Sequence, residues 1–257
     1  MPRFHHGLRT GLLALLAALL AIACGAPGER PDRRSALAGT RSAADDPESA
    51  ARAPLPPVAD VSAPRVVILG DSLTAGLGLS MKDAYPTVLQ DRINEEGLKY
   101  TVVNAGVSGD TSAGGLSRLD WALDGDVRVL IVALGGNDGL RGLPTAELTR
   151  NLSTIIERAQ ARGITVVLAG MEAPPNYGFD YTLGFHKVYP ALARKYHVAL
   201  VPFLLEGVGG IPALNQPDGI HPTAQGTRMV ADNVWTALKP ALESDSRRLD
   251  QRRASSR

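Results

Sequence analysis

An α/β fold built on a parallel sheet is the class this sequence predicts, and two observations carry the prediction. Short apolar runs rich in Val and Ile recur at residues 65–70, 100–104, 127–134, 164–170 and 198–203. Between them lie stretches of helical periodicity at 84–96, 115–123, 144–162, with Gly163 as its stop, and 183–197; another at 222–242 follows the last run. Unbroken apolar runs of this length suit strands buried on both faces. Alternation of strand and helix implies parallel pairing, since right-handed crossovers lay helices on both faces of the sheet. In such sheets the binding crevice lies beyond the carboxyl ends of the strands. The segments richest in reactive side chains all fall there.

Composition fits one such domain. The chain has 257 residues, 44% of them apolar and 21% charged, enough for a single substantial core. A net charge of +1 and 5% aromatic residues argue against a nucleic-acid partner, whose binding relies on phosphate neutralisation and base stacking. The expected boundaries are a signal peptide at 1–23, a tether at 24–63, a catalytic domain at 64–243 and a polar tail at 244–257.

The first segment carries Arg3 and Arg9 and then an apolar run at 11–23, too short to span a bilayer but suited to a signal-peptide core. Export follows. Ala21 and Ala23 supply the small residues a signal peptidase accepts, and Cys24, the only cysteine, comes next. Two processing routes fit: cleavage after Ala23 to release a soluble protein, or acylation of Cys24, since this junction resembles a bacterial lipobox. Ala21 stands where that pattern prefers Leu. With Gly25 rather than Asp after the cysteine, the resemblance to sorted lipoproteins points to the periplasmic side of an outer membrane. Residues 25–63 are rich in Ala, Arg and Pro without apolar periodicity, which predicts a disordered, semi-extended tether. The tail contains Arg247, Arg248, Arg252 and Arg253 and reads as a frayed, solvated end.

Four segments beyond the strand ends carry chemistry. Gly70-Asp71-Ser72-Leu73-Thr74 follows the first strand and presents Ser72 at a strand-to-helix turn; a serine there is, by itself, more often a helix cap. Thr74 stands where the α/β-hydrolase elbow requires its second glycine. After the second strand, Gly109 allows a backbone N–H to approach a reacting group, and after the third, Asn137 in Gly135-Gly136-Asn137-Asp138 can aim its amide into the same crevice. Either alone would be ordinary turn chemistry. Asp218-Gly219-Ile220-His221-Pro222 opens the last helical stretch. Pro222 suits a first helical position, which places His221 at the positive end of a helix, where the neutral imidazole is favoured, with Asp218 in reach of its other ring N–H. Together they supply a nucleophile (Ser72), a base (His221), a group to orient the base (Asp218) and oxyanion donors, all at strand carboxyl ends.

These blocks resemble the four conserved blocks of the GDSL (SGNH) hydrolases: Gly-Asp-Ser-Leu at Ser72, Gly-Val-Ser-Gly-Asp-Thr at Gly109, Gly-Gly-Asn-Asp at Asn137 and Asp-Gly-Ile-His at Asp218 and His221. The resemblance runs from about Arg65 to Leu242. Arg118-Leu119-Asp120-Trp121, Asn137 to Gly142 and Pro175-Asn176-Tyr177-Gly178 are similar to the subgroup of periplasmic thioesterases, lysophospholipases and arylesterases. It implies a flavodoxin-like three-layer α/β/α fold with a five-stranded parallel sheet in the order 2-1-3-4-5. It also implies ester hydrolysis through an acyl-enzyme on Ser72, with the oxyanion held by the N–H groups of Ser72 and Gly109 and by the Asn137 side chain. The acyl chain is expected on Leu73, Leu140, Leu143 and Pro174.

Other classes fit less well. Beyond the first segment the histidines are His186, His197 and His221, without metal-ligand spacing, so neither a metal nor another cofactor is expected. Asp124-Gly125-Asp126 and Gly76-Leu77-Gly78 lack the remaining elements of a calcium loop or a dinucleotide site and read as turns. The rival readings are a carbohydrate O-acetyl esterase using the same triad and a non-catalytic lipid-binding lipoprotein. The expected partners are a small ester or lipid substrate and, through the N-terminal lipid, a membrane.

Overall fold

In the computed structural model, which describes residues 63–255, five strands form one parallel sheet in the order β2-β1-β3-β4-β5. They are β1 (Arg65–Gly70), β2 (Thr101–Gly106), β3 (Val127–Ala133), β4 (Thr165–Ala169) and β5 (Ala199–Val201). The helices are α1 (Ser72–Ala75), α2 (Tyr85–Glu95), α3 (Ser112–Ser117), α4 (Leu119–Ala122), α5 (Gly136–Leu140), α6 (Thr145–Ala161), α7 (Phe179–Tyr196) and α8 (Ala224–Ser255). α2 packs on α8, whereas α6 packs on both α3 and α7. These two groups are the outer layers that right-handed crossovers demand, because the chain moves one way along the sheet from β1 to β2 and the other way thereafter.

The three central strands are buried on both faces, as their unbroken apolar runs require: Val66 to Leu69, Val129 to Leu134 and Val166 to Ala169 are nearly inaccessible. The two edge strands differ from that expectation. β2 is only partly covered and β5 is three residues long, because an edge strand has a neighbour on one side and less helix above it.

Helix boundaries shift where a polar side chain intervenes. The stretch 115–123, expected as one helix, is two: Thr111 accepts a hydrogen bond from Gly114 N–H and starts α3 early, and Arg118 leaves helical geometry between α3 and α4. α7 begins at Phe179 and closes on His197, which adopts the left-handed conformation (φ 52°) and donates its N–H to Ala193 O. The segment 244–257, expected as a frayed polar tail, instead continues α8 to Ser255. Asp245 explains this. Its buried carboxylate accepts from Tyr100 OH at 3.0 Å and from Arg128 Nε at 3.2 Å, which fastens the helix to the sheet beyond Leu242. The signal peptide and nearly all of the tether, Cys24 included, lie outside the described residues.

Candidate active site

β1 ends at Gly70, where a side chain would meet Thr74 Oγ1 at 2.0 Å and Ala133 O at 3.1 Å, so the close turn into α1 requires glycine. The cap of α1 is Asp71, not Ser72: Asp71 Oδ1 accepts from Leu73 N–H at 3.0 Å. Ser72, the first helical residue, thereby keeps its hydroxyl free for another partner. Thr74, in place of the elbow glycine, is buried and bonds Tyr85 OH at 2.7 Å.

That partner comes from the far end of the chain. His221 Nε2 lies 2.9 Å from Ser72 Oγ, and His221 Nδ1 lies 2.7 Å from Asp218 Oδ2. Asp218 Oδ1 also accepts the N–H groups of Ile220, at 2.9 Å, and His221, at 3.0 Å. The backbone N–H of His221, then that of Ile220, then the imidazole, hold the Asp218 carboxyl down at about 2. With Asp218 accepting at Nδ1, the Nε2 lone pair faces the serine hydroxyl. The expected helix position of Pro222 is not what orients the ring. α8 starts at Ala224, and Pro222 instead pairs with Asn215 in a short antiparallel bridge, with Gln216 N–H donating to His221 O at 2.7 Å.

Asn137 sits in the first turn of α5, and its amide donates to Asp110 O at 2.9 Å. The surrounding segment is pinned from both sides. On one, the buried Asp138 carboxylate accepts from Ser112 N–H at 2.8 Å and Ser112 Oγ–H at 2.5 Å. On the other, Tyr189 OH donates to Leu134 O, Tyr181 OH to Leu143 O and Tyr177 OH to Leu140 O. Gly109 adopts φ +86°, a conformation side chains disfavour, and Arg141 Nη2 donates to its carbonyl at 2.9 Å. Asp71 Oδ2 is 3.5 Å from the Asn137 amide, and burial pushes the Asp71 carboxyl up to about 6.

Ser72, His221 and Asn137 open onto a cavity of about 480 Å³ with mostly apolar walls. Leu73, Leu140 and Pro174 line it, whereas Leu143, whose carbonyl accepts from Tyr181 OH, and Gly109 are not among the lining residues. Met171, Phe203, Leu205 and Ile220 complete the apolar surface. None of the four was recognisable in the sequence, because each lies in an irregular loop or at a strand end whose direction only the fold decides. Glu172 brings an exposed carboxylate to the wall and binds His186 Nδ1 at 2.7 Å. Among the described residues no cluster of three or more His, Cys, Asp or Glu is placed to hold a metal ion.

A hydroxyl in line with an imidazole and a carboxylate, beside an amide donor and above an apolar cavity, is the equipment of a serine hydrolase. Residues 68–229 match the model of the GDSL-like lipase/acylhydrolase family. The esterase TesA of Pseudomonas aeruginosa is 47% identical over 182 residues, covering 70% of this chain and 90% of that one. The Escherichia coli K12 protein named thioesterase 1/protease 1/lysophospholipase L1 is 39% identical over 186 residues, covering 72% and 88%. A crystal structure of TesA superposes with a TM-score of 0.67 at 46% identity, covering 69% of this chain and 99% of that one. The chain belongs to the GDSL-like lipase/acylhydrolase family and is a carboxylic ester hydrolase.

Proposed function

We propose that Ser72 is the nucleophile of this hydrolase, with His221 as general base and Asp218 orienting it. The observation that carries the reading is the unbroken chain from Asp218 Oδ2 through His221 to Ser72 Oγ, at 2.7 and 2.9 Å, at the mouth of the apolar cavity. Ser72 Oγ attacks the ester carbonyl carbon while its proton passes to His221 Nε2. The oxyanion is held by the N–H groups of Ser72 and Gly109 and by the Asn137 amide, which keeps one N–H on Asp110 O and gives the other to the substrate. Collapse expels the alcohol, which takes the proton from His221 and leaves an acyl-enzyme. Water, deprotonated by the same imidazole, then releases the acid and restores Ser72.

The substrates are acyl and aryl esters, extending to lysophospholipids and thioesters. An apolar cavity of about 480 Å³ supports an acyl or aryl group over an acetylated glycan, since each buried methylene contributes about 0.8 kcal/mol at best. Esters are preferred over acyl-CoA. Glu172 on the wall repels phosphates, against the positive charge of Arg141, whose guanidinium bonds Gly109 O, and an exported enzyme does not meet the cytoplasmic cofactor. The run 11–23 and Cys24 support export and anchoring at the outer membrane through acylated Cys24.

The test compares kcat/KM of the protein and its Ser72→Ala variant for phenyl acetate, a lysophospholipid and an acyl-CoA at low and high salt. Ser72→Ala is expected to lose on the order of 10⁶ in kcat for all three. Activity within tenfold of wild type would remove Ser72 from the mechanism, and acyl-CoA as the best substrate at both salt levels would overturn the ranking.

A further inference from the structure

Three loops from three different strands must hold the proposed oxyanion donors in register: β1 leads to Ser72, β2 to Gly109 and β3 to Asn137. One side chain ties them together. Arg118, at the break between α3 and α4, is largely buried, with 17% of its side chain exposed. Its Nη2 donates to Gly70 O at 2.9 Å, two residues before Ser72. Its Nε donates to Asp110 Oδ2 at 2.7 Å, one residue after Gly109. Asp110 in turn receives the Asn137 amide on its backbone carbonyl at 2.9 Å, and Gly70 O also accepts Val107 N–H at 3.0 Å.

We propose that Arg118 is a positioning residue for the oxyanion hole: the guanidinium locks the Gly109 loop onto the end of β1 and, through Asp110, sets where the Asn137 amide stands. The inference rests on the assignment of Ser72, Gly109 and Asn137 made above. Its physical basis is directional. A planar guanidinium serves two acceptors in a fixed fork, which a lysine ammonium reaches only one at a time. The side chain departs from the point where helical geometry breaks, at residue 118 between α3 and α4. The fork also accounts for Gly114, where a side chain would press on Asp110 Oδ1 at 2.7 Å and displace the second acceptor. Arg118 Nη1 is buried without a partner among the described groups, so the two bonds made by Nε and Nη2 are the ones that fix the guanidinium.

Arg118 touches no substrate, so its loss acts through the donors. Those donors matter most in the transition state, and misplacement by about 1 Å costs on the order of 100-fold in rate. With phenyl acetate, Arg118→Ala is expected to lower kcat about 10- to 100-fold while KM stays within about threefold. Phenylboronic acid, which forms a tetrahedral adduct on an active-site serine, should bind more weakly by a similar factor. Added guanidinium ion at non-denaturing concentration should restore part of the lost kcat in Arg118→Ala and none in Ser72→Ala. Arg118→Lys should remain impaired. Asp110→Asn, which leaves the backbone carbonyl in place, should show the same split between kcat and KM at smaller amplitude. Wild-type kcat in Arg118→Ala and Asp110→Asn would overturn the proposal, as would a loss shared equally by kcat and KM and insensitive to guanidinium. A Ser72→Ala variant that stayed active would instead overturn the site assignment beneath it, so the two failures are distinguishable.

Discussion

Replacing Asp71 by Asn should make the protein more stable at neutral pH relative to wild type, and the gain should disappear in acid. Asp71 is 3% exposed, and burial raises its carboxyl from the ordinary 3.8 to about 6, against the opposing pull of Leu73 N–H and of His221. A carboxyl held above its unfolded value keeps its proton better when native. Its favourable contribution is complete below about pH 3.8 and is lost as pH rises through about 6. The full span corresponds to about 3 kcal/mol, of which about 2 kcal/mol falls between about pH 4.5 and 7.5. Asn keeps an oxygen for Leu73 N–H but has no charge to desolvate. Urea unfolding of both proteins across that range should show the stability difference moving by about 2 kcal/mol in favour of Asp71→Asn, with equal m-values. In a domain of this size that corresponds to a relative shift in Tm of roughly 4–8 °C. Parallel stability profiles would show that the native carboxyl titrates as it does in the unfolded chain, and the burial argument would fail.

Two further outcomes follow from the site and the N-terminus. Asn137→Ala should lower kcat by about 10²–10³ with a smaller change in KM, read with phenyl acetate; a rise in KM at constant kcat would make Asn137 a ground-state contact instead. Cys24→Ser should convert a membrane-associated protein into a soluble exported one in cell fractionation, and equal membrane association of both forms would refute acylation at that residue.

The parts of the fold legible in the sequence were those in which local pattern and tertiary environment agree. β1 and β3 are apolar apart from Arg65 and Arg128 because helices cover both faces, so their runs located them to within a residue. Ser72 and Asn137 were legible because each follows a strand, and Asp218 and His221 because they stand three residues apart in a block that resembles the family's; parallel topology delivers such positions to one edge of the sheet. What was not legible depends on partners remote in sequence. Residues 244–255 look like a solvated tail until Tyr100 and Arg128, more than 100 positions away, receive Asp245. Leu143 looked like a wall residue because it is apolar and near Asn137, yet its backbone is claimed by Tyr181 from α7. In the sequence Arg118 stands out only as part of a family pattern, since its two acceptors, Gly70 O and the Asp110 carboxylate, become neighbours only when the sheet forms.

The loop that carries the base is close to a self-contained cassette. Within residues 215–223 the turn is closed by the bridge between Asn215 and Pro222, by Thr223 N–H on Leu214 O and by the two backbone N–H groups on Asp218, so imidazole and carboxylate travel as one rigid piece. Two hydrogen bonds join this piece to the nucleophile side: His221 to Ser72, across 149 residues of sequence, and the Gln216 side chain to Leu77 O at 2.8 Å. Such a joint can part while the sheet stays whole. Loss of turnover would then precede loss of secondary structure on heating, and the catalytic signal would report the docking of one short loop rather than the unfolding of the domain.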